Sequence, residues 1–344
     1  MIIIGEKING SIPSMGKAIA ERNEEWIKEI AKKQADAGAT YIDVCASVEE
    51  NIEVETLKWM IDLVQSVTDL PIAVDSPSPR VLKEAYKFCN KPGLINSVSM
   101  EGDKVDIIFP EIKDTKWEVI ALLCDDTGIP KCAEDRLRVF DNIMAKAKEY
   151  GIAPSRIHID PLIEMLCTSE DGINMITEVM RTIRSQYPDI HITSAVSNIS
   201  FNLPVRKLLN MGFTVLAMNA GLDSAILDPT NRDMMGLIYA TEALLGKDDY
   251  CMEYIGAYRA GLIGPVRWSG LMCAVKDKEG FFKEMKACGK LLYLSERKTI
   301  WLIYRQTELA TVLRKPENRT FLQMYGYKEE DTGAKMLERL AERF

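Results

Sequence analysis

Short β-rich runs alternate with longer segments of helical periodicity along most of this chain. That alternation limits the folds open to it more than any single motif does. Eight runs stand out: Ile2–Ile4, Tyr41–Cys45, Ile72–Asp75, Gly93–Ser97, Val119–Cys124, Ile157–Asp160, Ile192–Val196 and Phe213–Met218. Between them apolar residues recur at helical spacing, as in Met15–Ala37, Val54–Val67 and Arg136–Tyr150. Several helical segments end at a glycine, in ADAGATYIDV, KEYGIAPSRIHID and LNMGFTVLAM, where a left-handed cap closes a helix before the next strand. Eight strands, each followed by a crossover, predict a (β/α)8 TIM barrel over residues 1–264. A doubly wound open sheet is the competing arrangement.

The first strongly polar residue of each run falls at its C-terminal end or just beyond: Glu6 and Asn9, Asp43, Asp75, Asn96, Asp125, Asp160, Asn198 and Asn219. In a barrel those ends converge on one face, the face on which active sites are built. One pocket ringed by carboxylates and amides is therefore expected. Any single member has a plainer explanation, because Asp and Asn also form turns and cap helices. Asp75-Ser76-Pro77 reads as a turn opening a helix at Pro79, and Asp228-Pro229 reads as another. Recurrence at the same end of nearly every strand is what favours a site.

Charge and composition exclude several functions. Up to residue 264 there are 27 basic against 40 acidic residues, and beyond it 16 against 11, so an acidic body carries a basic tail. An acidic body argues against nucleic acid as the main ligand. No run approaches the roughly 18 to 20 apolar residues of a membrane span, and MIIIGEKINGS is too short in apolar residues for a signal-peptide core. A cytoplasmic protein with no membrane partner is expected. The eight cysteines form no CxxC pair and the two histidines, His158 and His191, lie far apart, so free thiols and no metal site are expected. Both histidines sit among apolar neighbours on strand-like runs and read as structural. GxGxxG, GxxxxGK[ST] and GxSxG are all missing, which leaves a nucleotide cofactor or a Ser triad without support.

The segments IIIGEKING, ATYIDVCAS, PIAVDSPSP, GLINSVS, DDTGIPK, RIHIDPLI, SAVSNISFNLP and LAMNAGLDSAILDP follow one another over about residues 1–260. In this order and spacing they resemble the pterin-binding methyltransferases. These comprise the methyltetrahydrofolate:corrinoid methyltransferases and the tetrahydrofolate-methylating components of demethylase systems, relatives of dihydropteroate synthase and of the folate module of methionine synthase. The resemblance implies a barrel that binds the pterin of a reduced folate at its mouth. Asp75, Asn96 and Asp160 match the family's pterin-binding residues, and Asn198 matches the Asn near N5. Carboxylates accept from ring N–H and amino groups, and an amide serves donors and acceptors alike. Asn198 with Asp160 and water is the implied proton network. Ser197, Phe201, Asn202 and Arg206 join Glu6, Asn9, Asp43, Asp125 and Asn219 as further mouth residues, and Lys7, Lys131 and Arg206 are the nearby cations.

The implied reaction passes a methyl group between a methylcorrinoid protein and N5 of tetrahydrofolate, forming 5-methyltetrahydrofolate. Cobalt chemistry supplies the nucleophile or leaving group, so the chain need supply only alignment and charge control. The cobalamin is expected on a separate corrinoid protein, since the only approach to DxHxxG, Asp189-Ile190-His191 with Ser194 in the Gly position, fails the signature. Transfer in reverse to a cob(I)alamin protein, a folate-binding subunit without catalysis, and another reduced pterin such as tetrahydromethanopterin are the alternatives. Dihydropteroate synthesis is less suited, because its diphosphate product calls for a basic anion site where these strand ends carry acids and amides.

Three positions depart from the family pattern. CASVEEN brings Cys45, Glu49 and Glu50 to the second strand's end, DDTGIP carries Asp125 and Asp126, and Phe201 replaces a frequent Gln. The basic tail, 265–344, reads as a helical extension with helices around Phe281–Leu294, Thr299–Leu313 and Gly333–Phe344. It would pack on the barrel or a second subunit of a homodimer, or help dock the corrinoid protein through Lys283, Lys286 and Arg297.

Overall fold

The computed structural model describes residues 1–264 and two short strands beyond them, Lys290–Tyr293 and Leu302–Arg305. The chain divides into two compact units, Met1–Gly264 and Pro265–Phe344.

In the first unit eight parallel strands lie in the order β7-β6-β5-β4-β3-β2-β1-β8. They are β1 (Ile2–Asn9), β2 (Tyr41–Cys45), β3 (Ile72–Asp75), β4 (Leu94–Met100), β5 (Glu118–Asp125), β6 (Ile157–Asp160), β7 (His191–Ile192) and β8 (Ser224–Leu227). A parallel bridge between Ala195 and Ile226 brings the β7 segment against β8 and closes the ring. The helices are α1 (Pro13–Ala20), α2 (Glu24–Asp36), α3 (Glu50–Gln65), α4 (Pro79–Ala85), α5 (Lys104–Ile112), α6 (Ala133–Tyr150), α7 (Asn174–Gln186), α8 (Arg206–Ala220), α9 (Arg232–Leu244) and α10 (Met252–Arg259). This is the (β/α)8 barrel. Among the described residues no helix is long and apolar enough to cross a membrane.

The helices form where their apolar stripes meet the outward phase of the strands. On α3 that stripe is Leu57, Met60, Ile61 and Val64, all buried. Asn23 and Ser78 cap α2 and α4 by accepting from the backbone N–H groups of Trp26 and Val81.

Successive strand residues alternate sides, and the inward phase is layered. Tyr41, Glu118, His158 and Ser224, at the N-terminal ends, form a polar floor. His158 Nδ1 lies 3.0 Å from Ser224 Oγ and its Nε2 3.0 Å from a Glu118 carboxylate oxygen, which also accepts from the Tyr41 hydroxyl at 2.8 Å. Above it Ile4, Ala73, Leu94 and Ile120 fill the barrel with apolar side chains. Two residues further along each strand stand Glu6, Asp75, Asn96 and Leu122, and Asp43 follows Tyr41 in the same phase.

The eighth strand corrects the sequence reading. Phe213–Met218 is part of α8, and β8 is Ser224–Leu227, inside the GLDSAILDP segment. Phe213, Thr214, Ala217, Met218 and Ala220 are buried along one helical face, a spacing a short apolar run does not distinguish from a strand. Gly221, at φ 117°, ends the helix. Asn219 is thereby exposed on the last turn of α8, at the end of the barrel opposite the mouth, and is not a mouth residue.

Beyond residue 264, Lys290–Tyr293 and Leu302–Arg305 pair as antiparallel strands with Leu302 opposite Tyr293. Helix was expected at both places. Branched and aromatic residues in LLY and LIY favour the extended chain there. The expected helix at 333–344 and the steering charges Lys283, Lys286 and Arg297 lie outside the described residues.

Candidate active site

The inward phase delivers side chains from β1, β2, β3, β4 and β6 to one mouth. Strand register sets the neighbours: Cys45 lies beside Asp75 across β2 and β3, Asp75 beside Asn96 across β3 and β4, and Asp160 beside Leu122 across β5 and β6. Asn96 Nδ2 donates to Asp43 Oδ1 at 3.1 Å. Asp43 is only 2% exposed and Asp160 5%. Burial makes a carboxylate harder to ionise. It holds Asp43 well above the usual carboxylate range, with the neighbouring Asp75 adding to the effect. Asp75 is raised to about 6, again first by burial, while the Cys45 thiol pulls the other way.

Asp160 is raised to about 6 by burial, against the Leu162 N–H and the Arg136 charge. The Leu162 N–H donates to Asp160 Oδ1 at 2.8 Å, from a backbone held at φ 60°. Arg136 holds that turn. Fully buried on α6, it donates to the carbonyls of Pro161 and Leu162 and forms an ion pair with Glu164 at 3.2 Å. The sequence reading missed Arg136. A signal was present, since Arg136 shares the apolar stripe of α6 with Val139, Phe140, Ile143 and Met144, where a charge needs an internal partner.

After β7 the chain makes a 3-10 turn, Val196–Ser200, which carries Ser197 and Asn198. Arg206, in the first turn of α8, braces it, donating to the Ser197 carbonyl at 2.8 Å and to Ser200 Oγ at 3.0 Å. Its guanidinium stacks on Phe201 at 4.6 Å. Phe201 is 42% exposed, and Asn202, also exposed, adopts φ 61° with its amide toward Met165 Sδ. Glu6 is half-buried on β1, and burial raises it to about 7, with Asp228 adding and Lys7, Arg206 and the Ser197 hydroxyl opposing.

Several expected mouth residues are engaged in their own loops. Asp125 accepts from the Thr127 N–H at 2.9 Å and its hydroxyl at 2.6 Å, an Asx turn. Asn9 accepts from the Ser11 N–H at 2.9 Å and from Ser47 Oγ at 3.3 Å, tying the β1 and β2 loops together. Glu50 accepts from Ser78 Oγ at 2.9 Å, Glu49 precedes α3, and Lys131 is exposed. Lys7 pairs with Asp228 at 3.4 Å.

His191, at the start of β7, lies far from the mouth. Its Nδ1 lies 3.0 Å from Asp223 Oδ2, its ring packs 4.6 Å from that of His158, and both belong to the floor end of the barrel. Among the described residues no group of three or more His, Cys, Asp or Glu side chains is arranged to hold a metal ion.

The model of the family described as pterin binding enzyme matches residues 13–228. This chain belongs to the pterin-binding enzymes. Within them it is 50% identical over 269 residues to the methylcorrinoid:tetrahydrofolate methyltransferase of Eubacterium limosum, covering 78% of this chain and 99% of that one. It is 30% identical over 242 residues to methionine synthase of Mycobacterium tuberculosis, a match that spans 66% of this chain and 20% of the larger protein. The fold is shared with dihydropteroate synthases. That of Xanthomonas albilineans in complex with 7,8-dihydropteroate gives a TM-score of 0.54 at 17% identity, over 70% of this chain and 93% of that one. That of Coxiella burnetii in complex with pteroic acid gives 0.54 at 18%, over 70% and 94%. A second family, described as protein of unknown function, matches residues 251–344. In this chain Asp75 and Asn96 stand on the paired strands β3 and β4, and Asp160 stands on β6, across β5, at the same end of the barrel.

Proposed function

We propose that this enzyme is a methyltransferase exchanging a methyl group between a methylcorrinoid protein and N5 of tetrahydrofolate, running toward 5-methyltetrahydrofolate. The observation that carries it is the match along 99% of a relative named for that reaction. The mouth suits the task. Asp75, Asn96 and Asp160 bind the amino-pyrimidinone edge of the pterin, and Asn198 lies at N5. The cobalamin, carried by the partner, supplies the methyl donor; this chain orients the acceptor and controls its proton.

The free cysteines among the described residues, Cys45, Cys89, Cys124, Cys132, Cys167 and Cys251, fit a reducing cytoplasm. Exposed Leu208, Leu216, Leu244 and Met252 on α8 to α10 support a homodimer, with a second copy covering them. Replacing Asn198 by Ala tests the assignment. Folate affinity by calorimetry should stay nearly unchanged while methyl transfer falls severely. Equal and negligible transfer in both forms would favour a folate-binding subunit without catalysis.

A further inference from the structure

Methylation of tetrahydrofolate at N5 releases a proton. The N5 lone pair forms the new bond to carbon, the methyl–cobalt bond breaks with its pair left on cobalt, and the N5–H bonding pair returns to nitrogen as H⁺ departs. In the reverse direction the same proton must be supplied. An amide such as Asn198 can orient this proton but cannot keep it. A carboxylate that changes charge near neutral pH is needed close by.

Three consecutive segments of the barrel wall bring one there. β1 pairs with β8, and the segment after β7 bridges to Ile226 of β8. Glu6 on β1, Asp228 at the end of β8 and Ser197-Asn198 after β7 are thereby neighbours. Glu6 is distinct from the acids assigned to the pterin edge. Asp75 and Asp160 are committed to the pterin in the proposed reaction, and Asp43, outside that set, accepts from the Asn96 amide.

The charges facing Glu6 come from every side: Lys7 on its own strand, Asp43 on β2, Arg206 on α8 and Asp228 after β8. Both cations have other partners, Lys7 in Asp228 and Arg206 in the carbonyl of Ser197 and the hydroxyl of Ser200. Among the described residues no Lys or Arg nitrogen forms an ion pair with Glu6. It is therefore free to gain and lose a proton while the hydroxyl of Ser197, the residue before Asn198, remains in range of its carboxylate.

We propose that Glu6 is the proton reservoir of the methyl transfer, taking up through the Ser197-Asn198 turn the proton that N5 loses and returning it in the reverse direction. Burial and Asp228 bring its titration to about 7, where both protonation states are populated. The inference rests on the proposed reaction.

The test is single-turnover transfer from free methylcob(III)alamin to tetrahydrofolate, followed as cob(I)alamin formation across neutral pH. In the wild type the rate should rise with pH through an inflection near 7, because the carboxylate form is the acceptor. Glu6→Gln should lower the rate about 100-fold and erase the inflection, with tetrahydrofolate affinity within about twofold by calorimetry. Asp228→Asn, which leaves Glu6 in place, should move the inflection to lower pH by removing the like charge. Glu6→Gln with unchanged rate and inflection, or Asp228→Asn with an unmoved inflection, overturns the role of Glu6. A wild type that binds folate but transfers no methyl, either from free methylcob(III)alamin or from a methylated corrinoid protein, overturns instead the reaction on which the inference rests.

Discussion

The side-chain amide of Asn96 donates to the carboxylate of Asp43 at 3.1 Å, linking β4 to β2 behind Asp75 at the barrel mouth. This bond fixes which end of the Asn96 amide is left for a ligand. With the NH2 group committed to Asp43, the amide oxygen is presented as an acceptor. Asp43 thus shapes the pterin site without belonging to the set matched to the ring.

Replacing Asp43 by Ala should leave Asn96 free to rotate and weaken tetrahydrofolate binding by about 1–2 kcal/mol, roughly 5- to 30-fold. Calorimetric titration measures this. Unchanged affinity would mean that the orientation of Asn96 is immaterial to binding.

Asp160 opposes stability to function. Its carboxyl, at about 6 in the fold against an ordinary value of 3.8, binds its proton more tightly folded than unfolded. The folded state therefore loses stability as pH rises from about 4 to 6, and at pH 7 it carries the cost of a buried carboxylate. Asp160→Asn, whose amide oxygen can still accept from Leu162, should stabilise the protein at pH 7 by up to about 3 kcal/mol, at roughly 1.4 kcal/mol per pH unit. It should also abolish folate binding. Denaturant unfolding at pH 7 and pH 5 checks both sign and window, since the gain should shrink at the lower pH.

Arg136 should matter for the opposite reason. Arg136→Met strips donors from the carbonyls of Pro161 and Leu162 and should cost about 2–4 kcal/mol in unfolding free energy. The KM for tetrahydrofolate should rise more than kcat falls, because the turn that orients Asp160 is loosened. Arg136→Lys should recover less than half of the loss, lacking the planar fork that reaches two carbonyls.

The barrel was legible from the sequence because seven of its eight strands overlap short β-rich runs that carry a polar residue toward or just beyond their C-terminal end. The eighth was not. FTVLAM and SAIL are both short and apolar, and only the helical phase of Phe213, Ala217 and Met218 within α8 decides between them. At the mouth, Asp43, Asp75, Asn96 and Asp160 could be foreseen because each is the first strongly polar residue toward the C-terminal end of its run, and those ends converge on one face of a barrel. Asp125 and Asn9 illustrate the limit of that rule. Their carboxylate and amide are taken by local turns, a choice that depends on Thr127 and Ser11 two residues on. Arg136 and the bond between Asp43 and Asn96 join positions far apart in sequence, so they became visible only once the strands were in register.

The most direct test of the central claim is to mix the wild-type protein with tetrahydrofolate and free methylcob(III)alamin and follow cobalt spectroscopically. The expected result is appearance of cob(I)alamin in step with 5-methyltetrahydrofolate, with tetrahydrofolate binding lost in Asp75→Ala and Asp160→Asn. No tetrahydrofolate binding by the wild type would contradict the pterin site. Binding without methyl transfer, even with a methylated corrinoid protein in place of the free cofactor, would contradict the methyltransferase.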